Sequence, residues 1–232
     1  MAGKQAFIQT IHKIGEPYLA QGYVSTQKGQ VLKGNAMSGT FEYQIKFQPI
    51  ESDPKEYTTL SCTIVILSEQ LREWRFKKYR SKDIATSTVF IANLKEIIPV
   101  QPKLFTWEIK DKKQEEFALS ITTFLEEYVN PIFSLFEDTQ DVVNHVIDNG
   151  WRLNEYMSSG DFVFPIDFMC CFASKSEVQR AFNNYVKREG LSSQVKRVYK
   201  EMSSPKYKGF IESNSANDKV FQLAYLNGIQ LV

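Results

Sequence analysis

The sequence predicts an α+β fold, an antiparallel β-sheet covered by helices, with a helical carboxy-terminal extension. Three observations carry that expectation. Phe41, Tyr43, Ile45 and Phe47 alternate with Glu42, Gln44, Lys46 and Gln48, the period of a strand with one apolar face. After a turn-rich break over 51–56 that includes Asp53 and Pro54, residues 57–67 are dense in Thr, Val, Ile and Leu, so the two runs make an antiparallel hairpin. From Asp111 the period becomes helical, with Phe117, Ile121, Phe124, Leu125 and Tyr128 on one stripe.

The remaining elements follow in order. Phe7, Ile11, Ile14 and Tyr18 recur at helical spacing and Gly22 is a natural stop, which predicts a helix over 3–21 that Pro17 would kink. Residues 23–33 read as a short strand pair turning at Lys28 and Gly29. Residues 71–82 are open between strand and helix: Leu71, Trp74 and Lys78 fit a helical stripe, while the charge density points to exposure. Residues 86–94 and 105–109, the latter around Trp107, read as further strands separated by Pro99 and Pro102.

Asp111 with Gln114 resembles a cap, and the helix it opens should end near Pro131. Val142, Val143, Val146 and Ile147 mark a shorter helix stopped by Gly150. Ser158, Ser159 and Gly160 form the best linker candidate. Ser174 with Glu177 is a capping box, opening a helix with stripe Val178, Ala181, Phe182, Tyr185 and Val186 that ends at Gly190. Val195, Val198, Tyr199 and Met202 make a second helix. The expected organisation is an α+β domain over 1–150 and a helical extension, an αα-hairpin, over 151–232.

The chain has 232 residues, enough to bury a core without disulfides or metals. Its 28 Lys and Arg nearly balance 27 Asp and Glu, so no global field favours a polyanion or an acidic membrane. Cys62, Cys170 and Cys171 are an odd number without CxxC spacing, which fits a reducing compartment. Residues 1–14 lack the apolar core of a signal peptide, and no run approaches the length of a membrane span. A cytoplasmic protein is expected.

In its first 150 residues the chain resembles a bacterial family, domain of unknown function 4304. The likeness lies in Tyr18-Leu19-Ala20-Gln21-Gly22-Tyr23, the strand Tyr43–Gln48, Phe105-Thr106-Trp107-Glu108-Ile109, and Tyr128-Val129-Asn130-Pro131-Ile132-Phe133, followed by the helix after Phe136-Glu137-Asp138. The resemblance implies a non-enzymatic α+β domain of bacterial cytosolic origin, and the type of family suggests a defence or toxin-neutralising role. It does not extend past residue 150.

Candidate chemistry is sparse. His12 and His145 each lack a neighbouring ligand set or nucleophile, so packing or surface roles are the simpler reading. Cys170-Cys171, flanked by Phe168, Met169 and Phe172, is poor metal-ligand spacing, and an apolar setting makes a thiol less reactive; a buried core helix is expected. Glu126-Glu127 and Asp138 to Asp141 lack the spacing and glycine of a calcium loop. No GxGxxG, GxxxxGK, GxSxG or HExxH occurs.

The strongest candidate is Arg72, Trp74, Arg75, Lys77, Lys78 and Arg80, with Phe76, Tyr79 and Lys82, a mixture of cations for phosphates and rings for stacking. Glu69, Glu73 and Asp83 dilute it. A second basic run comprises Lys187, Arg188, Lys196, Arg197, Lys200, Lys206 and Lys208. Near-neutral overall charge favours reading both as solvated faces. The sequence therefore points first to a non-catalytic binding protein with another protein as partner and no cofactor. Nucleic-acid association through the basic runs comes second, and an enzyme with a dispersed site third.

Overall fold

The structure, a computed structural model, describes residues 2–51, 58–82, 85–99, 108–109, 114–158, 160–205 and 215–231. In chain order its elements are α1 (Ala2–Ala20), β1 (Val24–Thr26), β2 (Val31–Asn35), β3 (Glu42–Glu51), β4 (Thr58–Leu67), α2 (Glu69–Tyr79), β5 (Thr88–Asn93), α3 (Leu94–Ile97), β6 (Glu108–Ile109), α4 (Gln114–Phe124), α5 (Asn130–Leu135), α6 (Thr139–Asn149), α7 (Pro165–Phe172), α8 (Lys175–Arg188), α9 (Ser192–Met202) and α10 (Ala216–Leu226). The fold is α+β. Asp53, Pro54, Asp83, Pro102, Phe105 to Trp107, Asp111, Ser159, Lys206 and Lys208 lie outside the described residues.

By contact the chain forms two compact units. The first comprises Met1–Glu69, Phe90–Asp138 and Asn154–Ser158, and the second Gln70–Val89, Thr139–Leu153 and Ser159–Val232. A division of the chain at Gly150 does not follow this grouping, since α2 and α6 precede Gly150 yet belong with the later helices. One crossing between the units falls between residues 158 and 159, within the Ser158–Gly160 linker candidate.

In the first unit the strands run in the order β1-β2-β3-β4-β5, with β6 also on β4. The β3–β4 hairpin is antiparallel and pairs Tyr43 with Ile66, Ile45 with Ile64 and Phe47 with Cys62, so these apolar residues share one face. All six are buried. On the alternate positions Gln48 is exposed and Lys46 half-exposed, but Gln44 is buried, so the opposite face is partly covered near Glu42 and Gln44.

Helix α1 buries Phe7, Ile11, Ile14 and Tyr18 and lies against β4 and α4. It continues through Pro17 to Ala20 and ends in a Schellman motif. Gly22 has φ +91°, Tyr23 N–H donates to Tyr18 O at 3.0 Å and Gly22 N–H to Leu19 O at 3.0 Å. From the α5 side, the Phe133 ring stacks on Tyr43 at 4.5 Å, and Phe136 meets Phe41 edge-on at 5.1 Å.

The helix opened by α4 does not end near Pro131. It passes through a π-helical turn, Leu125–Val129, into α5, with Asn130 N–H bonded to Leu125 O. Pro131 then stands in the first turn of α5, directly after the π turn.

In the second unit α6 packs on α8, α10 on α9, and α7 touches α6, α8 and α10. Both halves of the Ser174/Glu177 capping box are present at the start of α8. Gly190, at φ +66°, ends that helix as a second Schellman motif, with Leu191 N–H on Val186 O at 2.9 Å. Helix α10 carries no strong periodic stripe at its start, and sequence patterning missed it. It buries Val220, Phe221, Leu223 and Ala224 in succession, so it is apolar on several sides and period alone is uninformative there.

Candidate functional site

Residues 71–79 are helical because Leu71 and Arg75, one turn apart, face the interior and Tyr79 follows a turn later. The helix ends at Arg80, which adopts φ +53° and donates its N–H to Phe76 O at 2.9 Å. Arg72, Lys77, Lys78 and Arg80 are exposed, and Trp74 is half-buried with its ring edge-on to Tyr79 at 6.2 Å. Arg75 is set apart from these: its side chain is wholly buried.

The Arg75 guanidinium is held on every nitrogen. Nε donates to Asp167 Oδ2 at 3.2 Å, Nη1 to Thr86 O at 2.8 Å and Thr88 O at 3.0 Å, and Nη2 to Val163 O at 2.9 Å. The Phe164 ring lies 5.3 Å from its central carbon. Tyr79 donates its hydroxyl to Asp167 Oδ1 at 2.5 Å, and Asn227 Nδ2 donates to Tyr79 Oη at 3.0 Å. One buried carboxylate thereby joins α2, α7 and the end of α10.

Burial pushes the Asp167 carboxyl up and the Arg75 guanidinium down, each toward its neutral form. The hydrogen bond from Tyr79 and the charge of Arg75 oppose the rise at Asp167. The Tyr79 hydroxyl is raised by burial and by the same carboxylate, so it remains a donor. Chemically this is a saturated structural network.

Of the second basic run, Lys187, Arg188, Lys196, Arg197 and Lys200 are exposed. Arg197 is engaged by Asp218 at 2.8 Å and Glu201 at 3.2 Å, and Arg188 donates to Asp148 O at 2.9 Å. The first run therefore loses Arg75 to the interior, and the second has Arg188 and Arg197 engaged by groups of the same unit.

His12, in the first unit, is exposed and sits against Gly29; His145, in the second, has Nε2 on Arg152 O at 2.9 Å. Among the described residues no three His, Cys, Asp or Glu side chains are grouped to hold a metal. Cys170 and Cys171 lie on α7 half-buried rather than fully buried, and burial pushes their thiols up to about 12 and about 11. Cys170 borders a groove of about 480 Å³ with Lys175, Gln179 and residues 227–230, and among the described residues no His, carboxylate or second thiol lines it.

In the first unit a row of rings reaches the surface. Phe124 and Tyr128, one turn apart, are half-buried with centroids 6.4 Å apart, and Tyr156 meets Tyr128 edge-on at 6.0 Å while remaining 42% exposed. Asn154 fixes the last ring. Its Nδ2 donates to Ile97 O at 2.9 Å, and its Oδ1 accepts the N–H groups of Tyr156 and Met157 at 3.1 Å each. Buried Met157 anchors the segment. Sequence reading places Phe124 and Tyr128 on the helix stripe without separating their half-exposed faces from buried Ile121 and Leu125. Tyr156 carries no sequence signal of its own.

No family model matches the chain, and no curated protein or solved structure matches it. Among the described residues no helix is long and apolar enough to cross a membrane.

Proposed function

We propose that this protein is a non-catalytic binding module whose partner is another protein. The row Phe124, Tyr128 and Tyr156 carries the reading. Rings held rigidly with one face outward are the side chains that dominate binding energy at protein interfaces, because they bury large area at little entropic cost. The π-helical turn supports it: such turns are uncommon and recur at functional sites, and this one places Tyr128 beside Tyr156. On the side of chemistry, the buried ionisable groups Arg75, Asp167 and Tyr79 bond to one another and to backbone, which suits a structural role.

The test is capture on the immobilised full chain, followed by a measured affinity for any protein retained in fixed stoichiometry. Tyr128→Ala with Tyr156→Ala should weaken that affinity by about 30-fold or more, the size of losing one interface hot spot, with an unchanged circular dichroism spectrum. Equal affinity for both chains, or no stoichiometric partner, would sink the reading.

A further inference from the structure

The ring row of the first unit sits on a surface of one charge. From Gln114 to Asp138, the stretch that forms α4, the π turn and α5, the chain carries six carboxylates and no Lys, Arg or His. Glu115 is taken by Lys13 at 2.7 Å, and Glu137 by the Tyr43 hydroxyl and the Met37 N–H. Glu126 and Glu127 stand in the π turn itself, directly before Tyr128, and both are exposed. Glu155 is exposed beside Tyr156 and accepts a hydrogen bond from that residue's hydroxyl. Helix α3, which touches the π turn, adds exposed Glu96 and half-buried Lys95 and so leaves the sign unchanged.

The fold brings two of these charges to the same place. Glu127 and Glu155 each directly precede a tyrosine of the pair whose rings meet at 6.0 Å, so each Cα is about 3.8 Å from the Cα of one of those tyrosines. Rings and carboxylates side by side select for cations, since the face of an aromatic ring attracts positive charge through its quadrupole. A guanidinium serves both: it stacks flat on a ring while its edge N–H groups reach carboxylates, whereas an ammonium is a strongly hydrated point charge. A partner that presents phosphates, nucleic acid or anionic lipid, would meet like charge here.

We infer that the segment of the partner that meets the ring row is basic and places an arginine on Tyr128 and Tyr156, within reach of Glu127 and Glu155. The inference rests on the reading of the row as a protein interface and names the chemistry of what that interface takes. Asn154 and buried Met157 hold Tyr156 and its neighbour Glu155 in place, so little order has to be imposed when the cation arrives.

Titration of the full chain with a capped hexaarginine peptide near physiological salt tests it, read on the ring resonances that Tyr128→Phe and Tyr156→Phe identify. Hexaarginine should move both rings saturably. Hexalysine should bind about threefold more weakly or less, and hexacitrulline, of the same shape without the charge, should leave the rings unmoved. Glu127→Gln with Glu155→Gln, both exposed positions, should weaken hexaarginine about fivefold or more with an unchanged circular dichroism spectrum. Rings unmoved by hexaarginine, equal binding of hexalysine or hexacitrulline, or equal binding by the carboxylate variant would each overturn the inference. A captured protein that Tyr128→Ala with Tyr156→Ala releases, but that the carboxylate variant holds as tightly as the parent, would sink this inference and leave the interface reading standing. Rings that take up hexaarginine in a chain that retains no protein would do the reverse.

Discussion

Arg75 Nε lies 3.2 Å from Asp167 Oδ2, and neither side chain is exposed to solvent at all. A sequence run with the composition of a polyanion-binding face thus hides its central cation inside the second unit. Removing one partner leaves the other charge buried and unpaired. Asp167→Ala is expected to cost about 3 to 5 kcal/mol in chemical denaturation, and Arg75→Met alone should be comparably harmful. Replacing both by apolar residues of similar volume should recover much of the loss. Additive single-variant costs in that cycle would show that the pair is not coupled.

The exposed cations Arg72, Lys77 and Lys78 on α2, with Arg80 just past its end, are expected to form a solvated face. Lys77→Gln, Lys78→Gln and Arg80→Gln together avoid Arg75 and should leave stability within about 0.5 kcal/mol of the parent. Single-stranded RNA or DNA should show no appreciable affinity near physiological salt for either chain. Binding by the parent that weakens in the triple variant with a flatter salt dependence would instead assign counterion release to this face.

Cys170 and Cys171 have folded values of about 12 and about 11, raised chiefly by burial above that of an exposed thiol. On raising pH the unfolded chain therefore ionises first. The stabilisation from the two neutral thiols is complete below the exposed thiol's range, around pH 9, and is lost as pH climbs toward 11 and 12. Melting temperature should fall across that window, and less steeply in Cys170→Ala with Cys171→Ala. Identical slopes would remove the thiols from the alkaline transition.

Ile45, fully buried opposite Ile64, should cost about 2 to 5 kcal/mol when cut to Ala, whereas Lys46→Ala should cost under about 1 kcal/mol. Urea denaturation distinguishes them. Equal costs would mean that both faces of β3 are packed at this position.

Much of the fold was legible because its signals are local. The alternation from Phe41 to Gln48, the stripe from Phe7 to Tyr18, and the Ser174/Glu177 box each report a period or a cap that neighbouring residues determine. Pro131 misled because a π turn shifts the hydrogen-bond register just before it, and nothing in composition announces that shift. Helix α10 was hidden by burial on several sides. The fate of Arg75 was illegible for a different reason. Its partner is 92 residues away, and a cation bound for a buried carboxylate looks in sequence like one bound for solvent.

The same limit governs the candidate sites. Tyr128 and Tyr156 meet only in the fold, a contact that no sequence pattern encodes.

Hydrogen–deuterium exchange of the full chain, alone and with a captured protein at saturation, tests the proposed function most directly. The account predicts new protection concentrated in residues 120–130 and 154–157, with none gained over 72–80. Protection that leaves the ring row unchanged and falls on another surface would contradict it.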